Sequence, residues 1–163
     1  MTAPTLRRRL ASLLYETLVI VSLGLVVVAV FSLASVAVPS FGAQRPLLLA
    51  LTFASLGGYF TYCWRNGQTL AMRAWKIRIV DLSGQPPRWG RACVRYVLAW
   101  VWVAPPLALA AALAPHAPSL SAALGTDAAA LIAWIALWSL ASLLRSDRQF
   151  WHDVASGTRL VDA

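Results

Sequence analysis

The chain has 163 residues, a length that suits one or two small domains. Hydrophobic residues make up 60% of it and charged residues only 12%, which excludes a disordered chain and argues against an ordinary soluble domain. Lys and Arg nevertheless outnumber Asp and Glu by 14 to 6, so the net charge is +8. Nucleic-acid binding needs dense charge over a solvated surface. The composition therefore predicts no nucleic-acid partner, and an integral membrane protein whose basic residues lie on one side of the bilayer.

Four apolar stretches have roughly the length that a membrane-spanning helix needs, which is about 20 residues. The predicted spans cover about residues 10–38, 46–64, 94–113 and 127–145. They predict an all-α membrane protein that forms a single membrane domain over residues 1–163. The segments 65–93 and 146–163 then lie outside the bilayer on the same side.

The basic residues predict the orientation of these spans. Thirteen of the fourteen Lys and Arg residues fall on one side if both termini face the same way, and only Arg45 falls on the other. The positive-inside rule makes the basic side the cytoplasm. The prediction is thus a multi-pass protein of a cytoplasmic (inner) membrane with both termini and segments 65–93 and 146–163 in the cytoplasm, where anionic lipid head groups would be its partners.

The first span could also be read as a secretory signal peptide, because a basic start precedes it and Ser35-Val36-Ala37 would serve as a cleavage site. Its apolar run is much longer than a signal peptide needs, and Glu16 leads into it, so an uncleaved span is favoured. Cys63 and Cys93 map to the cytoplasmic edge, where a structural disulfide is not expected. Two cysteines make no metal-ligand set, and neither a metal nor a cofactor is predicted.

A short strand is predicted between the second and third spans. In Ala74–Asp81, Lys76 and Arg78 alternate with Ile77 and Ile79, the pattern of a half-buried strand. The turn Asp81-Leu82-Ser83-Gly84 and a few returning residues after Pro86-Pro87 would complete a cytoplasmic β-hairpin. Its isoleucine face and Trp75 would lie in the membrane interface. The alternative is an amphipathic helix over 69–79.

The tail after the fourth span carries two further features. Thr158-Arg159-Leu160-Val161 predicts a last short strand beside the hairpin. His152 and Asp153 offer a titratable pair, because histidine changes charge near neutral pH. One interpretation is a proton relay. The other is a structural role, in which the two residues cap a helix and pair with Arg7, Arg8 or Arg9.

Arg9 and Glu16 are the charged residues at the start of the first span. Seven residues bring the two side chains back almost to the same helix face. A charge in hydrocarbon costs about 2.5–3.5 kcal/mol even on the mild insertion scales, so such groups usually face the bundle interior and a partner. Glu16 is therefore either a carboxylate in an ion or proton-relay site, or half of a structural ion pair that ties the first helix to the cytoplasmic segments.

Three blocks of sequence resemble the RDD family of bacterial membrane proteins. They are Arg9-Leu-Ala-Ser-Leu-Leu-Tyr-Glu16, then Gly67 to Asp81 with Gly84 and Pro86, then Arg148-Gln-Phe-Trp-His-Asp153 with Gly157-Thr158. The family is named for an arginine, an aspartate in the first helix and a further aspartate. The resemblance implies that Arg9, Glu16 and Asp153 occupy these positions, with Glu16 departing from the family's aspartate. Asp81 and Arg148 lie in the same blocks and are secondary candidates.

Two functions remain open, and no enzyme is predicted because the sequence contains no phosphate loop, nucleophile elbow or zinc-helix motif. The resemblance implies transport of ions or small solutes, with cation/proton exchange suggested for some members. Four helices enclose little polar space and show no inverted repeat, so a pathway would need a homo-oligomer. The alternative is a non-transporting accessory or scaffold protein whose cytoplasmic face binds anionic lipid or a partner protein. The orientation of the Glu16 side chain discriminates the two.

Overall fold

The computed structural model describes residues 3–38, 40, 44–113, 116, 119–144 and 149–163. Four of its helices are long and two are of five residues, and a two-stranded sheet joins two distant parts of the chain. In chain order the elements are α1 (Leu6–Ala37), α2 (Arg45–Arg65), α3 (Leu70–Ala74), β1 (Ile77–Asp81), α4 (Trp89–Leu113), α5 (Leu120–Leu143), α6 (Trp151–Ala155) and β2 (Thr158–Asp162).

Three helices of the described chain, α1, α2 and α4, are long and apolar enough to cross a membrane. The apolar part of α5, Ala128–Leu143, is shorter than such a span. The membrane class is thus supported by helix length and composition, whereas the count of four spans and their orientation stay predictions. Large apolar side chains are exposed along α1, as expected of a helix that faces lipid; they include Leu14, Leu18, Leu25, Leu33 and Val36.

The predicted strand forms, but the predicted hairpin is wrong. β1 pairs antiparallel with β2, so that Ile77 lies opposite Asp162 and Asp81 opposite Thr158. Pro86-Pro87 explains the difference, because neither proline has an N–H to donate to a returning ladder. The tail segment around Leu160 supplies the partner strand instead, as its sequence predicted.

The helix and strand interpretations of 69–79 are each correct for part of the segment. The helix α3 ends at Ala74, Lys76 takes a positive φ of 51°, and β1 begins at Ile77. The prediction that the isoleucine face lies in the membrane interface is wrong. Ile77 and Ile79 are buried in the protein core against side chains of α2 and α4, among them Trp64 and Tyr96.

Arg8 ties the start of α1 to the sheet. Its guanidinium donates to the carbonyl oxygens of Trp75 at 2.5 Å and Lys76 at 2.7 Å and pairs with the carboxylate of Asp162. On the outer edge of β2, the Gln149 side chain donates to the carbonyl of Leu160 and accepts from its N–H. One side chain thus replaces one rung of a third strand, and it covers the middle of this edge.

Gly57 lets α2 and α4 approach closely. A Cβ at this position would lie 3.0 Å from Cε1 of Tyr96, whereas a Cβ at the adjacent Gly58 would meet nothing within 4 Å. Tyr96 cannot move away without cost because its hydroxyl donates to the carbonyl of Phe53 at 2.7 Å.

We therefore expect Gly57→Ala to lower the free energy of unfolding by about 1–3 kcal/mol, the usual effect of overpacking. Gly58→Ala is the matched control and should leave it unchanged. Thermal unfolding of the purified protein in detergent measures both variants. Equal midpoints for the two would contradict the close contact.

Candidate functional site

Glu16 lies inside the helical bundle. Its side chain is 7% exposed and faces α2 and the start of α3. One carboxylate oxygen accepts a hydrogen bond from the Tyr59 hydroxyl at 3.0 Å, and the other accepts one from the Thr69 hydroxyl at 2.5 Å. In the described part of the chain, the hydrogen bonds to this carboxylate therefore come from neutral hydroxyl groups and not from an arginine.

Thr69 also fixes the helix that follows it. As the N-cap of α3, its hydroxyl oxygen accepts a hydrogen bond from the Met72 N–H at 3.1 Å. The same hydroxyl donates its hydrogen to Glu16, so the cap and the carboxylate position each other. Thr69 is almost fully buried, which holds the arrangement in place.

Arg9 lies two helical turns before Glu16, at the sheet end of α1, and is 5% exposed. Its guanidinium carbon lies 5.1 Å from the centre of the Phe150 ring, within the range of a cation–π contact. Arg9 and Glu16 share a helix face, as their spacing predicted, and both line one cavity.

This cavity, which we call the Glu16 cavity, has a volume of about 260 Å³ and is partly enclosed. It lies between α1, α2 and α4, and Phe150, the residue directly before α6, also lines it. Among the described residues, its charged lining groups are Arg9, Glu16 and Arg95, and the remaining wall is mostly aliphatic and aromatic. The rings belong to Phe60, Trp64, Tyr96, Trp100 and Phe150.

Asp153 is the centre of a second cluster. It is completely buried and forms an ion pair with Arg95, which is itself only 4% exposed. Arg95 also donates to the Thr158 hydroxyl at 3.1 Å, and its guanidinium lies over the Trp64 ring at 4.7 Å from the ring centre. The predicted partners of Asp153 were Arg7, Arg8 or Arg9. The described ion pair instead comes from α4, and it fastens the tail to that helix.

His152 lies beside Asp153 and also lines the Glu16 cavity. Its ring stacks on Phe150 with centres 5.7 Å apart, and its Nε2 lies 3.4 Å from the Asp153 carboxylate. Burial, together with the charge of Arg95, lowers the pKa of His152 to about 3. The ring is therefore neutral near pH 7, so a role as the proton carrier is not favoured at this pH.

His152 should make the fold sensitive to acid. Its pKa is about 3 in the folded protein and 6.5 when the ring is freely solvated, so below pH 6.5 the unfolded chain binds a proton that the folded chain does not. The stability that the neutral ring provides is fully present above pH 6.5 and is lost as the pH falls toward 3, by at most about 1.4 kcal/mol per pH unit.

We expect His152→Gln to weaken the dependence of stability on pH between 7 and 5, because glutamine does not titrate. Unfolding midpoints in detergent at the two pH values measure this. His116→Gln, which changes the other histidine of the chain, is the control for the loss of a histidine outside this cluster. The same slope in all three proteins would contradict the buried neutral state of His152.

Of the secondary candidates, Asp81 organises a turn. Its carboxylate accepts from the Ser83 hydroxyl at 2.6 Å, from the N–H groups of Ser83 and Gln85, and from Arg91 at 3.2 Å. The Ser83 hydroxyl makes the largest contribution to lowering the pKa of Asp81 below its usual value. Asp81 does not line the Glu16 cavity. Arg148 lies outside the described residues.

The structure brings Arg9, Glu16 and His152 to one cavity and places Asp153 directly behind it. Tyr59 and Thr69 were not predicted from the sequence as site residues, and Arg95 served only to predict the orientation of the spans. A weak signal existed for Arg95, which is a charge at the edge of an apolar span. Tyr59 and Thr69 carry no comparable signal, since hydroxyl residues are common in such segments. Among the described residues, no group of three or more His, Cys, Asp or Glu could hold a metal ion.

Apolar helices with exposed faces, a small sheet at one end and buried charged residues at that end define a polytopic membrane protein. The family model of the RDD family matches residues 3–157, and the chain belongs to that family. Comparison with curated proteins gives no match, and neither does comparison with solved structures.

Proposed function

We propose that this RDD family protein exchanges a monovalent cation for a proton across the bacterial cytoplasmic membrane, with Glu16 binding either one. The supporting observation is the surroundings of the Glu16 carboxylate. It is buried beside a cavity, and its described hydrogen bonds come from two neutral hydroxyls. A carboxylate that has no fixed cationic partner among the described residues can take up a proton or a mobile cation in turn, and an ionisable group within a membrane span is a functional candidate by default.

The charges around the cavity suit a one-for-one exchange. Among the described residues at the cavity and directly behind it, the positive charges of Arg9 and Arg95 equal in number the negative charges of Glu16 and Asp153. Adding a proton to Glu16 raises the net charge of these four residues by one. Placing a monovalent cation beside an ionised Glu16 raises the net charge of the site by the same amount. Both loaded states carry the same charge, so we expect exchange that membrane potential does not drive.

A complete pathway needs more polar surface than one copy offers, and we propose that a homo-oligomer supplies it. The apolar faces exposed on α1 and α2 are available to a second copy or to lipid. The test of the exchange function is proton flux in proteoliposomes after Glu16→Gln, which should reduce the flux to that of protein-free vesicles.

For the orientation, we propose that both termini and the sheet face the cytoplasm, in accord with the distribution of Arg and Lys. In a background with Cys63→Ala and Cys93→Ala, Ser119→Cys should react with a membrane-impermeant thiol reagent added to whole cells, and Ser83→Cys should react only after lysis. The reverse pattern would overturn the orientation.

The second candidate is an accessory role at anionic lipid, and a specific observation supports it. Exposed basic side chains surround the sheet on several elements, including Arg7, Arg73, Lys76, Arg88 and Arg91. Such groups attract anionic head groups with about 1 kcal/mol each near the surface. If the parent protein shows no flux but retains phosphatidylglycerol through these residues, the accessory role is supported over exchange. We propose no enzymatic activity, as the sequence contains no catalytic motif.

A further inference from the structure

The composition of the Glu16 cavity restricts the kind of cation it can take. A hard metal ion that leaves water needs a shell of oxygen ligands, about six or more for ions such as calcium. Among the described side chains that line this cavity, only Ser12, Glu16 and Tyr96 carry an oxygen. The Tyr96 hydroxyl already donates to the Phe53 carbonyl. Among the described lining residues, too few side-chain oxygens remain to replace the water shell of a bare ion.

Aromatic rings provide a different means of binding a cation. Two rings in the wall already do so, because the Arg95 guanidinium lies over Trp64 and that of Arg9 lies over Phe150. Phe60, Tyr96 and Trp100 are further rings in the same wall. Ring faces attract ammonium groups electrostatically, most strongly away from water, and such rings are used to bind quaternary ammonium ligands.

The volume also suits an organic cation. A cavity of about 150 Å³ lined by apolar side chains is large enough to hold benzene. The Glu16 cavity, at about 260 Å³, has space for an aromatic ring with a substituted ammonium group. The one carboxylate among its described lining residues lies on α1, and rings from α2 and α4 also line it.

We infer that the cation bound beside Glu16 is an amphipathic organic ammonium ion, whose charge lies against the carboxylate and whose apolar part lies against the aromatic wall. This deepens the proposed exchange function and rests on it for the transport step. The binding step does not depend on transport. No bond is made or broken other than the transfer of a proton to or from Glu16.

The test compares four chloride salts, those of sodium, potassium, tetramethylammonium and phenyltrimethylammonium. Phenyltrimethylammonium is permanently charged, so it does not cross the bilayer as a neutral base. Binding is followed by tryptophan fluorescence of the purified full chain, since Trp64 and Trp100 line the cavity. Exchange is followed by a pH-sensitive dye inside proteoliposomes.

We expect saturable binding of phenyltrimethylammonium, with an affinity at least about tenfold above those of sodium, potassium and tetramethylammonium. Glu16→Gln should weaken this binding at least about tenfold. Ala99→Leu narrows the cavity without changing a charge, and it should weaken the binding even if Glu16→Gln does not fold. Asp81→Asn removes a carboxylate outside the cavity and should leave the binding unchanged.

The outcomes separate the two proposals. If phenyltrimethylammonium binds through Glu16 and drives proton exit, both proposals stand. If sodium or potassium drives proton exit equally well or better, the ligand inference is overturned and the exchange function stands. If no salt drives exchange but phenyltrimethylammonium still binds through Glu16, exchange is overturned and the ligand class stands. Binding that is the same in parent, Glu16→Gln and Ala99→Leu overturns the ligand inference.

Discussion

Replacing Arg95 with methionine is expected to lower the free energy of unfolding by about 3–5 kcal/mol, since it leaves the buried Asp153 carboxylate without its cation. Asp153 is completely buried and Arg95 almost so, so water does not compensate for the lost partner. The change also removes the hydrogen bond to Thr158 and the contact with Trp64. Thermal or denaturant unfolding in detergent measures the effect.

The matched control is Arg91→Met, one helical turn earlier on α4. Arg91 pairs with Asp81, but its side chain is 47% exposed, and an exposed pair contributes at most about 1 kcal/mol. The double variant Arg95→Met with Asp153→Leu should recover much of the loss, because an apolar pair carries no unpaired charge. Equal effects of Arg95→Met and Arg91→Met would contradict the role of the buried pair in holding the tail.

Replacing Glu16 with glutamine is expected to reduce proton-coupled cation flux to that of protein-free vesicles. The amide keeps the size of the side chain and can still accept from Tyr59 or Thr69, but it cannot take up and release a proton. The measurement is the initial rate of internal pH change after a cation gradient is imposed on proteoliposomes.

Glu16→Asp distinguishes the charge from its position. Aspartate keeps the carboxylate but shortens its reach by one methylene, so the hydrogen bonds from Tyr59 and Thr69 cannot both keep their present geometry. We expect an intermediate rate, about tenfold below that of the parent, which corresponds to about 1.4 kcal/mol. Asp81→Asn is the control and should retain the parental rate. Normal flux in Glu16→Gln would refute the exchange proposal, and so would the absence of flux in the parent.

Much of the fold could be predicted from local patterns. Long apolar stretches predicted the helices α1, α2 and α4, because the length of a span is set by the thickness of the bilayer. The alternation of Ile77 and Ile79 with charged residues predicted β1, since successive side chains of a strand face opposite sides. Three short motifs also predicted the family, which the match over residues 3–157 confirms.

The candidate site could be predicted only in part. Arg9 and Glu16 were found because their spacing on one helix is a local property, and they do line the same cavity. The partners of the acidic residues were not found. Tyr59 and Thr69 lie 43 and 53 positions from Glu16, and Arg95 lies 58 positions from Asp153.

The sequence by itself determined the class of protein and its long apolar helices, and it singled out the few acidic residues, since hydropathy and periodicity are properties of one element at a time. Only the tertiary structure decided that β1 pairs with the tail rather than with the residues after its own turn. It also decided that Glu16 meets hydroxyls, while Asp153 meets an arginine from another helix. The physical reason is that the partner of a strand or of a buried charge depends on how distant elements pack, and this is not encoded in any single segment.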